Sequence, residues 1–140
     1  MHYRVTEETN SPLEDGQLLV LDSGGQYLDG TTDITRTIAI GTPPPEAAEA
    51  FTRVLQGMIA MSRLRWPVGL AGRELEAIGR VPLWRAGQDF NHGLGHGVGY
   101  ELHEQPSFAR GAGEEGRLEA GDVFTLEPGL YDPDVGYGTP

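Results

Sequence analysis

The chain has 140 residues, of which 38% are hydrophobic, and this suits the core of one domain. A net charge of −11, with no basic cluster beyond Arg63 and Arg65, argues against nucleic acid or an anionic membrane as a partner. The absence of cysteine excludes a disulfide scaffold and thiolate metal sites. Because no segment resembles a signal peptide or approaches the roughly 20 apolar residues of a membrane span, a soluble cytoplasmic protein is expected.

A β-hairpin is the first predicted element. The apolar run Leu18–Leu21 and the alternating segment Thr31–Ile38 are typical of strands, with glycine-rich turn residues between them. If the turn is centred at residues 27–28, the carboxylates of Asp22 and Asp33 are cross-strand neighbours, about 5 Å apart at Cβ. Such a pair is destabilising unless a cation lies between its members. The alternative is that Asp22 only ends a strand and Asp33 is an exposed strand residue.

Two helices are predicted to follow the hairpin. The first begins at Glu46, after a run of prolines, and ends near Arg63 and Arg65. A second, shorter helix is predicted from Ala71 to about Arg80, where Pro82 interrupts it. In the first helix, the spacing of five apolar residues predicts the face that packs into the core: Phe51, Val54, Leu55, Met58 and Ile59.

Three of the four histidines lie close together in a glycine-rich segment, at His92, His96 and His103. Histidines four residues apart could bind zinc from one helix face, but the alternating glycines make a helix implausible and no HExxH pattern is present. Glycines at this density predict a strand or loop whose backbone closely approaches a site. Any one histidine would more often be an ordinary surface or core residue, but the cluster favours a functional role.

A buried strand is predicted over Asp122–Tyr131, and its Glu127 repeats the arrangement of an acid after an apolar strand. Together with Asp22, Asp33 and one or more histidines, Glu127 completes a mixed set of carboxylates and imidazole. Such donors suit Mn²⁺, Fe²⁺, Co²⁺ or Zn²⁺. Three carboxylates suggest a pair of metal ions about 3.5–4 Å apart, so metal-assisted hydrolysis is the predicted reaction class.

Three motifs, DSGGQYLDGTTDITRT, HGLGHGVGYELHE and TLEPGLY, resemble in order the metal-binding motifs of the pita-bread metallopeptidases. The segment DGTTDITRT is most similar to the Xaa-Pro aminopeptidase (aminopeptidase P) branch. The resemblance implies an α+β fold, in which residues 1–140 form a partial pita-bread catalytic domain with a curved antiparallel sheet covered by helices. It also implies two divalent ions, Mn²⁺ with Zn²⁺ or Co²⁺ as alternatives, and peptide substrates with proline in the second position. The nucleophile would be a hydroxide held between the metals, and the full-length protein would be a cytoplasmic homodimer.

The resemblance also implies a role for each site residue. Asp22 corresponds to the bidentate ligand of one metal, and Asp33 to the ligand that bridges both. His96 corresponds to the imidazole ligand of the other metal. Glu127 corresponds to its carboxylate ligand and to the proton acceptor. Two further histidines would bind substrate and stabilise the tetrahedral intermediate: His2 and His103.

One departure from the family concerns a further bridging glutamate, expected soon after TLEPGLY, for which residues 136–140 offer no candidate. We therefore expect the chain to be a fragment that binds metal weakly and shows little or no catalysis by itself. Two alternatives stay open: a prolidase-type Xaa-Pro dipeptidase, which uses similar ligands, and a non-catalytic pita-bread binding module. Within this scheme His92 is a loop residue beside the site rather than a ligand.

Overall fold

The structure is a computed structural model and describes residues 4–111, 116–132 and 137–139. The described residues form β1 (Leu18–Tyr27), β2 (Gly30–Ala39), α1 (Pro45–Ser62), α2 (Gly72–Trp84), β3 (His96–Gly97), β4 (Glu104–Ser107), β5 (Leu130–Asp132) and β6 (Tyr137–Thr139). The strands pair as three antiparallel sheets, β1–β2, β3–β4 and β5–β6. Neither described helix is long and apolar enough to cross a bilayer. His2 and part of the segment 136–140 lie outside the described residues.

The predicted register of the hairpin was wrong by two positions. Asp22 pairs with Thr35, and Asp33 pairs with Gly24, because the strands stay paired up to a two-residue loop at positions 28–29. Side chains alternate between the faces of a strand, so a shift of two residues leaves both aspartates on the same face of the hairpin. The two aspartates are diagonal rather than direct cross-strand neighbours, and residues in such positions are about 7–8 Å apart.

The first helix begins within one residue of the prediction, but its predicted buried face was largely wrong. Of the predicted stripe only Val54 is buried, whereas Phe51, Leu55 and Ile59 are 40%, 38% and 44% exposed. The face that packs into the core consists mainly of small residues: Ala47, Ala50, Val54, Gly57 and Met61. Small side chains allow α2 to approach α1 closely, and this contact outweighs the larger apolar area of the opposite face.

The two helices approach each other closely at Gly57. A Cβ atom built at this position would lie 2.1 Å from the carbonyl oxygen of Gly79 on α2, so the helices meet through their backbones. Replacing Gly57 with alanine should destabilise the fold by about 1–3 kcal/mol, because backbone cannot move aside as a side chain can. Urea denaturation followed by circular dichroism measures this change. Gly111→Ala is the control, since a Cβ there meets nothing within 4 Å, and an equal effect of both substitutions would contradict the packing argument.

The second helix runs past the predicted stop and includes Pro82 in its last turn. Proline removes one helical hydrogen bond, but the following turn still closes, because the Arg85 N–H donates to the Val81 carbonyl at 3.1 Å. Leu83 is fully buried, and this burial favours the extra turn. At the other end, the Glu74 carboxylate accepts the Ala71 N–H at 2.7 Å and stabilises the helix start.

The hydrophobic core lies between the two helices and the glycine-rich segment that carries the histidines. Its buried members come from both helices and from the segments that follow them: Ala50, Val54, Met61, Leu75, Leu83, Phe90, Leu94, Phe108, Leu118 and Leu130. Leu94 lies inside the glycine-rich segment and is fully buried, and a Cβ at Gly79 would lie 2.6 Å from its Cδ1. The core thereby anchors the backbone two residues before His96.

Candidate metal centre

The glycine-rich segment forms no helix, as predicted, and only His96–Gly97 of it is a strand. It lies between β4 and residues 123–127. The Thr125 N–H donates to the His96 carbonyl at 2.8 Å. The Glu127 N–H donates to the Leu94 carbonyl at 2.7 Å. Glycine is required for this approach, because a Cβ at Gly95 would lie 2.0 Å from the Thr125 carbonyl oxygen. Because glycine has no side chain, the segment that carries His96 and the segment that carries Glu127 contact each other directly through their backbones.

The strand predicted over Asp122–Tyr131 was too long. Within that range, β5 begins only at Leu130, and Phe124 makes an isolated bridge with Gly97. Pro128 separates the two parts, since it has no N–H to donate to a neighbouring strand.

Three side chains from three separate elements converge at the candidate site. Asp33 comes from β2, His96 from β3, and Glu127 from the segment 123–127. His96 Nε2 lies 3.4 Å from Asp33 Oδ2 and 2.9 Å from Glu127 Oε1. One ligand atom of each residue lies within 4.8 Å of the others, and all three residues are partly buried. Two carboxylates and one imidazole are donors that suit Mn²⁺, Zn²⁺ or Co²⁺. They are three of the four expected ligands, the fourth being Asp22, which is not in this group.

The hydrogen bonds of His96 fit a cation at this position. Its Nδ1 lies 3.0 Å from the Gly97 carbonyl oxygen, which only accepts, so Nδ1 carries a proton and donates it. Nε2 then faces the carboxylates of Asp33 and Glu127. A lone pair there would repel them, and a cation between the three groups would remove this repulsion. A histidine whose other nitrogen donates to a backbone carbonyl is the usual arrangement of a metal ligand.

The electrostatics of Asp33 support the same conclusion. Its pKa is raised above the ordinary value, first by burial and next by the charge of Glu127, with a smaller contribution from Asp22. His96 and His103 oppose this shift without cancelling it. A bound cation reduces the electrostatic repulsion between clustered carboxylates of this kind. Asp22 itself lies outside the group of three ligand atoms, and its Oδ1 accepts the Thr35 hydroxyl at 3.1 Å.

Thr125 orients Glu127, a role that sequence reasoning missed. The Thr125 hydroxyl donates to Glu127 Oε1 at 2.6 Å and accepts the His96 N–H at 3.1 Å. One hydroxyl therefore connects the backbone of one cluster member to the carboxylate of another. The only sequence signal was its position two residues before Glu127, on the same side of an extended chain.

His103 is the one predicted catalytic histidine that the structure describes, and it lies beside the cluster. Its ring centroid is 4.2 Å from that of His96, with the two planes tilted by 52°. The turn that carries His103 is held by Glu104, whose carboxylate accepts the Glu101 N–H at 2.6 Å. The carboxylate occupies the space beside Gly99, where a Cβ would lie 2.2 Å from Glu104 Oε2.

His92 is not a member of the three-residue cluster. Its Nδ1 donates to the Gly93 carbonyl at 2.8 Å, and among the described residues its buried Nε2 has no hydrogen-bond partner. The ring packs edge-on against Tyr131, with 5.7 Å between centroids. Burial, followed by the charges of Glu127 and Asp22, raises the pKa of Tyr131, so this hydroxyl is protonated at neutral pH. Sequence reasoning missed Tyr131, although it is the last residue of TLEPGLY.

Comparison with known sequences gives a consistent set of relatives. The model of metallopeptidase family M24 matches residues 1–139. Over 133 residues the chain is 48% identical to human Xaa-Pro aminopeptidase 2, an alignment that covers 93% of this chain and 19% of that protein. It is 42% identical over 136 residues to Xaa-Pro aminopeptidase 1 of Dictyostelium discoideum, an alignment that covers 94% of this chain and 22% of that protein. The chain therefore spans about a fifth of the length of these curated relatives.

Solved structures resemble the fold closely. The X-prolyl aminopeptidase of Caenorhabditis elegans, described as a cytosolic enzyme with a di-nuclear active site, superposes with a TM-score of 0.89 at 42% identity. That match covers 98% of this chain and 22% of the other. Prolidase from Pyrococcus furiosus superposes with a TM-score of 0.79 at 37% identity, covering 90% and 37%. These likenesses confirm the predicted α+β, partial pita-bread fold.

Proposed function

Because this chain belongs to metallopeptidase family M24, we propose that it forms part of the catalytic domain of a Xaa-Pro aminopeptidase. The substrate is a peptide with proline in the second position, and the bond that breaks lies between the N-terminal residue and that proline. The observation that carries the proposal is the convergence of Asp33, His96 and Glu127 from three separate elements. The names of the curated relatives and of the Caenorhabditis elegans enzyme support the choice of substrate.

Asp22, Asp33, His96 and Glu127 are the residues proposed to hold two divalent ions. Mn²⁺ is the proposed metal because the donors are mostly oxygen, with Zn²⁺ and Co²⁺ as alternatives. When bound, such ions lower the pKa of water and polarise a carbonyl group. The di-nuclear active site of the Caenorhabditis elegans enzyme supports the number of ions.

The chain's own residues would supply proton transfer and orientation. Glu127 is the proposed proton acceptor, and the hydroxyl of Thr125 on its Oε1 fixes the direction of the carboxylate. His103, whose ring lies beside that of His96, is the proposed hydrogen-bond donor to the carbonyl oxygen of the substrate. His2 is proposed for the same carbonyl by resemblance alone. Tyr131 adds a protonated hydroxyl close to Glu127 and Asp22.

The setting of the full-length protein is also a proposal. We infer a cytoplasmic enzyme, by likeness to the cytosolic enzyme of Caenorhabditis elegans, acting on peptides and not on nucleic acid or a membrane. The net charge of −11 supports the exclusion of anionic polymers. A homodimer is proposed from the family resemblance.

Replacing Glu127 with glutamine tests the proposed proton acceptor. In the complete natural protein that carries this chain, loaded with Mn²⁺, we expect kcat on a Xaa-Pro tripeptide to fall about 10²–10⁴-fold, the usual contribution of a positioned general base. Glutamine keeps the size of the side chain but cannot accept a proton. Glu119→Gln is the matched control, because Glu119 is exposed and outside the cluster. Turnover of Glu127→Gln equal to that of this control would exclude the role.

A prolidase-type dipeptidase is the second candidate, favoured by the likeness to Pyrococcus furiosus prolidase. The two activities are separated by substrate length. Cleavage of Xaa-Pro dipeptides together with failure on longer Xaa-Pro peptides would support the dipeptidase. A non-catalytic binding module would cleave neither in the presence of Mn²⁺, although the presence of all four proposed donors argues against it.

A further inference from the structure

Arg80 lies outside the proposed metal centre, yet it binds the chain just ahead of His96. Its side chain on α2 is 3% exposed. The guanidinium packs on the ring of Phe90, with Cζ 3.7 Å from the ring centroid. A charge buried to this degree needs an acceptor for each of its donors.

Each nitrogen of this guanidinium has a hydrogen-bond acceptor. Nε and Nη2 donate to Glu76 on α2, the Nε bond being 3.1 Å long. Nη1 donates to Asp89 Oδ1 at 2.7 Å and to the Phe90 carbonyl at 2.6 Å. Nη2 also donates to the His92 carbonyl at 2.5 Å. One side chain therefore ties three points of the loop 89–92 to α2.

The tied loop leads directly into the site. In the sequence, Leu94 stands midway between His92, whose carbonyl accepts a hydrogen bond from Arg80, and His96. Leu94 is fully buried, and its carbonyl accepts the Glu127 N–H at 2.7 Å. His96 and Glu127 thus take their positions from one stretch of backbone, which begins at the attachment to Arg80.

We propose that Arg80 is a positioning residue, which through the carbonyls of Phe90 and His92 sets the placement of His96 and Glu127 in the metal centre. This inference rests on the proposed function, since it takes these two residues as metal ligands. Arg80 is not a member of the cluster formed by Asp33, His96 and Glu127. Its effect passes through the backbone that follows its acceptors.

The arrangement requires arginine and not merely a buried charge. Buried ion pairs can often be replaced by apolar side chains without loss of stability, so charge pairing alone does not explain Arg80. A planar fork of donors reaches carbonyl and carboxylate oxygens in several directions, whereas the ammonium group of lysine acts as a point charge. Burial raises the pKa of Asp89, but hydrogen bonds from Arg110 and then Arg80 outweigh it and hold that pKa well below its usual range. Asp89 therefore remains an ionised acceptor at neutral pH.

Arg80→Lys in the complete natural protein tests the proposal, because it keeps the charge and loses the fork. We expect Mn²⁺ affinity to fall about 10–100-fold, as is typical when a partner behind a metal ligand is lost. The value of kcat should fall with it, while KM changes little. In the metal-free protein, hydrogen–deuterium exchange of residues 89–96 should become faster while the rest of the protein keeps its protection. A purely structural role would instead increase exchange throughout the domain.

Arg110→Lys is the matched control. Arg110 donates to the outer oxygen of Asp89, Oδ2, at 2.7 Å, and its side chain is 58% exposed. We expect this control to keep near wild-type Mn²⁺ affinity and loop exchange, and equal values for Arg80→Lys would overturn the proposal. If Arg80→Lys does not fold, Asp89→Asn is the second variant, because it weakens one of the three attachments between Arg80 and the loop. It should give a smaller rise in hydrogen exchange, confined to the loop. If exchange in the loop does not rise, the proposal is overturned. Failure of the wild type to bind Mn²⁺ would count against the proposed function, while the exchange comparison still decides the role of Arg80.

Discussion

Replacing His96 with alanine in the complete natural protein is expected to lower kcat/KM on Xaa-Pro peptides by about 10³-fold, well beyond the roughly 10–100-fold typical of residues behind a ligand. The reason lies in the geometry of its Nε2, which is 3.4 Å from Asp33 Oδ2 and 2.9 Å from Glu127 Oε1. Alanine removes the only imidazole of the three-residue cluster and leaves two carboxylates facing each other. Peptidase assays across a range of Mn²⁺ concentrations measure the loss.

The same variant separates a ligand from a merely structural residue. We expect its Mn²⁺ affinity to fall, and we expect added metal not to restore full activity. Asn91→Ala is the control, since Asn91 is exposed in the same segment and its substitution should leave metal affinity and turnover near the wild-type values. Retention of wild-type turnover and Mn²⁺ affinity by His96→Ala would refute the metal centre.

The hairpin illustrates which parts of the site can be predicted from sequence. Side chains alternate between the two faces of a strand with a period of two residues. The prediction that Asp22 and Asp33 share a face was therefore correct, although the predicted register was wrong by two residues. The exact pairing depended on where the turn closes, which the several turn-forming residues left open. The spacing of glycines likewise predicted close backbone approach at Gly95 but not which segment would lie there.

Contacts between distant parts of the chain account for what the sequence did not predict. The buried face of α1 follows from the approach of α2 at Gly57, and apolar spacing within α1 carries no information about that partner. Thr125 and Arg80 act through hydrogen bonds to residues whose position depends on the tertiary fold. Motifs therefore identify groups that do chemistry, while the residues that orient them become visible only in three dimensions.

Asp33→Asn should stabilise the metal-free protein at neutral pH and should weaken the stabilisation that Mn²⁺ provides. Burial, together with the charge of Glu127, raises the pKa of Asp33 in the folded state. A group with a raised folded pKa contributes stability that is fully present below its unfolded pKa, about 3.9 for aspartate, and that is lost as pH rises through the folded pKa. Asparagine does not ionise in this range, so the stability of the variant should not fall with pH in this way.

The measurement is the thermal unfolding midpoint between pH 4 and 7, with and without Mn²⁺. Without metal, the advantage of Asp33→Asn over the wild type should grow as pH rises, and the difference between them isolates Asp33 from the other carboxylates. With Mn²⁺ at 100 times its Kd, the wild type should gain about 2.7 kcal/mol, because the metal binds only the folded state. Asp29→Asn, an exposed substitution in the hairpin loop, should follow the wild type in both series. If Asp33→Asn also follows the wild type, then Asp33 neither carries the repulsion nor binds the metal, and the proposed centre is wrong at its bridging ligand.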